Sequence, residues 1–127
     1  MNVKIDTKEK FTVLLPKDAV ISANMTEDMQ NLLVSYLNKK IPHIILNLRE
    51  VTELNEDIAE KIATIQQEFY EKNCSFIVCE LQPNVEAIFE KTDLLELMNV
   101  TPTESEACDI LQMEEIEREL LGDFDDD

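Results

Sequence analysis

The chain has 127 residues, of which 44% are hydrophobic and 31% charged, and it carries a formal net charge of −17 at pH 7. That length fits one domain able to bury a real core, and so acidic a chain is repelled by DNA, RNA and anionic membranes, which excludes them as main partners. A single glycine, Gly122, and a single histidine, His43, exclude glycine-rich phosphate loops, histidine metal clusters and histidine-assisted nucleophiles, so no metal or cofactor is expected.

No run approaches the roughly 18 apolar residues of a membrane helix, and none has the shape of a signal peptide. A soluble, cytoplasmic protein without direct membrane insertion is expected. The cysteines Cys74, Cys79 and Cys108 are odd in number and form no C-x-x-C pair, which fits reduced thiols in that compartment.

In chain order, Val3-Lys4-Ile5-Asp6 and Phe11-Thr12-Val13-Leu14-Leu15 read as two strands joined by the polar turn Thr7–Lys10. Pro16 ends the second, because it has no N–H to give a ladder. Lys17–Ala23 forms a connection containing Ala19-Val20-Ile21. Met25, Met29, Leu32, Leu33, Tyr36 and Leu37 recur at helical spacing and predict a helix over about 25–39, capped by Asn24 or Thr26.

His43-Ile44-Ile45-Leu46-Asn47-Leu48 reads as a strand buried on both faces, as in a parallel sheet. After the polar loop Arg49–Asn55, the residues Ile58, Ile62, Ile65 and Phe69 make the stripe of a second helix, with Ala59 and Ala63 beside it. Asn73 closes that helix, and Cys74–Cys79 is another apolar strand whose two cysteines point to opposite faces. Pro83 suits the first turn of a short helix with Val85, Ile88 and Phe89 inward. Leu94–Val100 is then a helical turn running into an edge strand.

Thr103 and Glu106 have capping-box spacing at the start of a last helix, whose apolar stripe is read as Ala107, Ile110, Leu111, Met113 or Glu114, Ile116 and Leu120, with Gly122 as its C-cap. From Glu104 onward eleven acids stand against one base, Arg118. This acidic helix is either a solvated face or a contact surface for a basic partner. The domain is expected over residues 1–121, with 122–127 an acidic, disordered tail.

The element order resembles the STAS domain, the fold of bacterial anti-sigma factor antagonists. Ile44–Leu48 followed by Val51-Thr52-Glu53-Leu54, then Phe76–Cys79, Pro83-Asn84-Val85, Ile88-Phe89 and Leu94–Leu97 carry the resemblance. It implies a single α/β domain, a small mixed sheet with helices packed on it. It also implies a non-catalytic regulatory module that binds a protein partner, an anti-sigma factor or GHKL-type kinase. In such domains a hydroxyl residue at the start of the second helix is phosphorylated. The matching stretch here is Asn55-Glu56-Asp57-Ile58-Ala59-Glu60, in which Asp57 stands at the phosphosite, Asn55 at the usual aspartate, and Ile58 and Glu60 at glycines.

The resemblance therefore predicts a contact surface of Asn24, Asn55, Glu56, Asp57, Glu60 and Lys61, not switched by phosphorylation at the usual position. Asp57 is either a helix-start residue favoured by the dipole or an imperfect imitation of a phosphorylated one. Thr52 and Thr64 are the hydroxyls nearest to a displaced phosphosite. Loss of the hydroxyl also fits a permanent subunit of a larger assembly, stressosome-like or in a transporter complex. From a different class, Glu53, Asp57 and Glu60 are the carboxylates a small enzyme could use, and a nucleotide-binding domain is the other such alternative.

Overall fold

A computed structural model describes residues 1–125, with side chains to residue 121. The elements are β1 (Val3–Thr7), β2 (Thr12–Pro16), β3 (Val20–Ile21), α1 (Thr26–Ser35), β4 (Ile44–Asn47), β5 (Glu53–Leu54), α2 (Glu56–Glu71), β6 (Phe76–Cys79), α3 (Pro83–Lys91), β7 (Val100–Thr101) and α4 (Glu104–Asp125). One sheet has the order β1-β2-β4-β6-β7, antiparallel between β1 and β2 and parallel thereafter. The expected hairpin, the two buried strands and the edge strand after Leu94–Leu97 are all present.

The apolar runs Ile44-Ile45-Leu46 of β4 and Phe76–Cys79 of β6 do not alternate with polar residues, as suits strands covered on both faces. Here alternate side chains serve two cores. Leu14, Ile44, Leu46, Phe76 and Val78 point into a core roofed by α1, α2 and α3, and Val13, Ile45, Ile77 and Cys79 point to the opposite face, covered by Ala107 and Leu111 of α4. Ile44, Ile45, Leu46, Phe76, Ile77 and Val78 are all 0% exposed, and each such burial stabilises by roughly 1.5–3 kcal/mol relative to leaving the side chain in water. Phe69 of α2 meets Phe76 edge to face at 5.1 Å between ring centroids. The same alternation sends Cys74 and Cys79 into different cores, and all three thiols are free. Burial pushes the Cys79 thiol up to about 12 and also raises those of Cys74 and Cys108, so all three stay protonated and weakly nucleophilic.

With almost no glycine in the chain, the left-handed turns fall on other residues. Asn73, which follows α2, and Asp93, which follows α3, have φ near +60° (59° and 58°), a conformation their short polar side chains tolerate. Glu80 (φ 57°) is the costlier case. Its carboxylate accepts from the Glu104 backbone N–H and from Asn47 Nδ2, both at 3.2 Å, while Asn47 Nδ2 also donates to Glu104 Oε1 at 2.9 Å. The bend thus fastens the first turn of α4 to the ends of β4 and β6.

Three sequence expectations are corrected. The predicted helix over 25–39 is α1 flanked by 3-10 turns at Ala23–Met25 and Tyr36–Asn38, and neither Asn24 nor Thr26 caps it. Asn24 instead accepts from Ser22 Oγ, and Thr26 Oγ1 donates back to the Ala23 carbonyl, because the preceding 3-10 turn already occupies the capping position. The connection Lys17–Ala23 contains a strand, β3, paired in parallel with β5.

The third correction concerns α4. Thr103 Oγ1 accepts from the Glu106 N–H as expected, but Met113, Ile116 and Leu120 are 61%, 56% and 56% exposed. At about 100° per residue, Ala107, Leu111, Glu114 and Arg118 fall within one narrow arc, and that arc faces the sheet. Glu114 accepts from Tyr70 Oη at 2.9 Å and from Ser75 Oγ at 2.6 Å, and Arg118 Nη1 donates to Ser75 Oγ at 2.8 Å. The helix also runs through Gly122, which does not close it, to Asp125. Of the expected tail, Asp126 and Asp127 lie outside the described residues.

Gln66, 3% exposed on α2, donates to the carbonyls of Phe76 and Asn99 and accepts from the Asn99 N–H, holding β7 to the sheet. Gln66→Leu should cost roughly 1–3 kcal/mol by stranding those backbone groups, read as a lower urea midpoint. His43 Nδ1 accepts from the Ser75 N–H at 3.0 Å, and Arg118 Nη2 stands 3.4 Å from its other nitrogen. Burial, then Arg118, lower its pKa from 6.5, against a weaker opposing pull from Glu115. The unfolded chain therefore binds this proton more readily, and the His43 contribution is intact above the unfolded value of about 6.5 and lost as pH falls from there through the lowered folded value. Denaturation of wild type and His43→Asn across this range should show the gap between them move against wild type toward acid.

Candidate functional site

The start of α2 is built by a cap and a miniature sheet. Asn55 adopts extended φ/ψ (−64°, 140°) and its side chain accepts from the Asp57 N–H at 2.9 Å, filling one of the helix's open donors. The Val20↔Glu53 and Ile21↔Leu54 pairing, continued by Asn55 N–H to the Ile21 carbonyl at 2.9 Å, lays Ser22–Met25 beside this helix end. Ile58, where the resemblance expected a glycine, is buried in the main core at 0% exposure and anchors the first turn from below.

Above it Asp57 and Glu60 are exposed, while Asn55, Glu56 and Lys61 are half-buried. Glu56 is tied to Lys91 of α3 at 3.6 Å. Asp57 occupies the second helical position, where the dipole favours an anion by about 0.3–1 kcal/mol, and its carboxylate makes no hydrogen bond or ion pair among the described residues. Asn24 is exposed on the adjoining 3-10 turn. The residues expected to form one surface are thus carried by two neighbouring segments.

A family profile described as the STAS domain matches residues 2–107 of this chain. The chain belongs to the STAS domain family. Solved structures agree on the fold of this STAS domain. The Thermotoga maritima protein TM1081 superposes with a TM-score of 0.75 at 19% identity, over 87% of this chain and 94% of its own. An anti-sigma factor antagonist from Mycobacterium paratuberculosis gives 0.74 at 16% identity, over 87% and 93%. The anti-sigma factor antagonist SpoIIAA in its unphosphorylated form gives 0.69 at 15%, over 87% and 96%.

Within the STAS domain the two threonines sit away from the Asp57 position. Thr52 Oγ1 donates to the Ala19 carbonyl at 3.1 Å in the β3–β5 connection, and Thr64 Oγ1 donates to the Glu60 carbonyl two turns along α2. Glu53, Asp57 and Glu60 are exposed and not hydrogen-bonded to one another, and among the described residues no three acid, histidine or cysteine side chains converge as a metal would need. Among the described residues, no helix is long and apolar enough to cross a membrane.

Sequence reasoning missed the exposure of one neighbouring residue and the capping role of Asn55. Val20 is 49% exposed on β3, facing the same solvent as the loop it pairs with, and its only sequence signal was an apolar residue alternating with buried Ile21. The cap role of Asn55 was legible from an Asn immediately before an apolar-periodic segment. Replacing Asn55 with Ala should destabilise the domain by about 1 kcal/mol, and Asn55→Asp much less; parallel urea titrations of the three proteins measure this.

Proposed function

We propose that this STAS domain is a non-catalytic, cytoplasmic regulatory module that acts as an anti-sigma factor antagonist, docking on an anti-sigma factor or GHKL-type kinase. Its contact surface is the start of α2, residues Asn55 to Lys61, with the Ser22–Met25 turn and Asn24. The observation that carries this reading is Asp57: an exposed carboxylate with no partner among the described residues, on the second residue of a firmly capped helix, at the position where the resemblance places a phosphorylated hydroxyl. Its negative charge is permanent, so binding at this surface is constant where a phosphorylated relative would be switched. The fold shared with SpoIIAA, an antagonist solved in its unphosphorylated form, supports the same class of partner.

Losing the hydroxyl also favours a permanent place in a larger assembly, and the two readings separate experimentally. Tagged protein is recovered from its own cells, the co-purifying protein is identified, and its affinity is measured by calorimetry for wild type, Asp57→Ser and Asp57→Lys. A kinase or anti-sigma factor whose binding weakens roughly tenfold or more with Asp57→Lys is the expected result. A stoichiometric multi-subunit complex indifferent to residue 57 would replace the antagonist reading with the scaffold one.

A further inference from the structure

The STAS match ends at residue 107, whereas α4 continues to Asp125. Beyond the buried Leu111 the added turns dock through polar side chains, Glu114 and Arg118, and turn Met113, Ile116 and Leu120 to solvent. With the inward arc of α4 as reference, these three lie within about 60° of one another on the opposite side. Their i, i+3, i+7 spacing is that of a helix-pairing seam. More than half of each side chain is exposed, although the surrounding surface has ample charge to keep a helix soluble without them.

Charge decides what such a seam would accept. Glu106, Asp109, Glu117 and Glu119 border it, all exposed and none in an ion pair among the described residues. A second copy of this chain would bring a second −17 against the first, and an anionic bilayer is repelled for the same reason. A cationic amphipathic helix satisfies both halves of the surface, its apolar edge lying along Met113, Ile116 and Leu120 and its lysines and arginines meeting the acidic borders.

We propose that the outer face of α4 is a second docking surface, one that takes a basic amphipathic helix of a partner protein and is independent of the start of α2. It does not rest on the antagonist reading. The test is fluorescence anisotropy with the full chain and a labelled helical peptide of leucine and lysine, leucines in heptad register, beside a peptide of the same composition in scrambled order. The expected result is binding of the heptad peptide that weakens with salt and drops roughly tenfold or more both for the scrambled peptide and for the Met113→Ser/Ile116→Ser/Leu120→Ser variant.

All three positions are exposed, so this variant should keep its circular dichroism. If it does not, Glu106→Lys/Glu117→Lys tests the borders alone and should weaken binding and flatten its salt dependence. Asp57→Ser should bind as wild type does, which separates the two surfaces. Equal binding of both peptides, no binding at low salt, or undiminished binding by the variants overturns the proposal. So does Ile116-dependent dimerisation in sedimentation, or Ile116-dependent pelleting with phosphatidylserine vesicles.

Discussion

The two short strands at the middle of the sheet, Ile44–Asn47 and Phe76–Cys79, are fully buried on both sides. Period-two alternation then obliges the chain to supply a cover for each face. The three crossover helices form one cover and the last helix forms the other. Such a domain cannot be trimmed to a single layer. Without α4, Ile45, Ile77 and Cys79 would open to water, and without α2 so would Ile44, Leu46, Phe76 and Val78.

The same constraint places the candidate site. Parallel strands require a crossover between each pair, so every helix begins near the same end of the sheet where a strand has just finished. The β3–β5 pairing and the Asn55 cap tighten one of these junctions, and buried Ile58 fixes its first turn. Asp57 is consequently held on a rigid element and not on a loose loop, with its backbone N–H already satisfied and its carboxylate left for whatever meets that surface.

Much of this was legible because it depends on local apolar pattern. The strands at His43–Leu48 and Cys74–Cys79 showed as unbroken apolar runs, and α2 as a stripe at 58, 62, 65 and 69. What failed depended on partners distant in sequence. Residues 19–21 look like a connection until Glu53 and Leu54 are beside them. On α4 the apolar pattern left Met113 and Glu114 as alternatives and favoured Ile116 and Leu120 over Arg118, and partners distant in sequence, the hydroxyls of Tyr70 and Ser75 among them, turn Glu114 and Arg118 inward. The candidate site itself came from the order of residues around Asp57, whereas the exposure of Val20 and the turn at Ala23–Met25 needed the folded chain.

The way α4 is fastened has a consequence for motion. Its first two turns are held by Glu80, Ala107 and Leu111, but from Glu114 on it rests on a strip of hydrogen bonds to side chains that water could equally serve. Such contacts contribute little net free energy compared with apolar burial. The part of the last helix beyond Leu111 is therefore the natural low-energy opening unit of the domain. The amides of residues 114–121 should exchange with solvent long before those of β4 and β6, in a fraying that leaves Ala107 and Leu111 on the sheet and the Asn55–Asp57 cap intact.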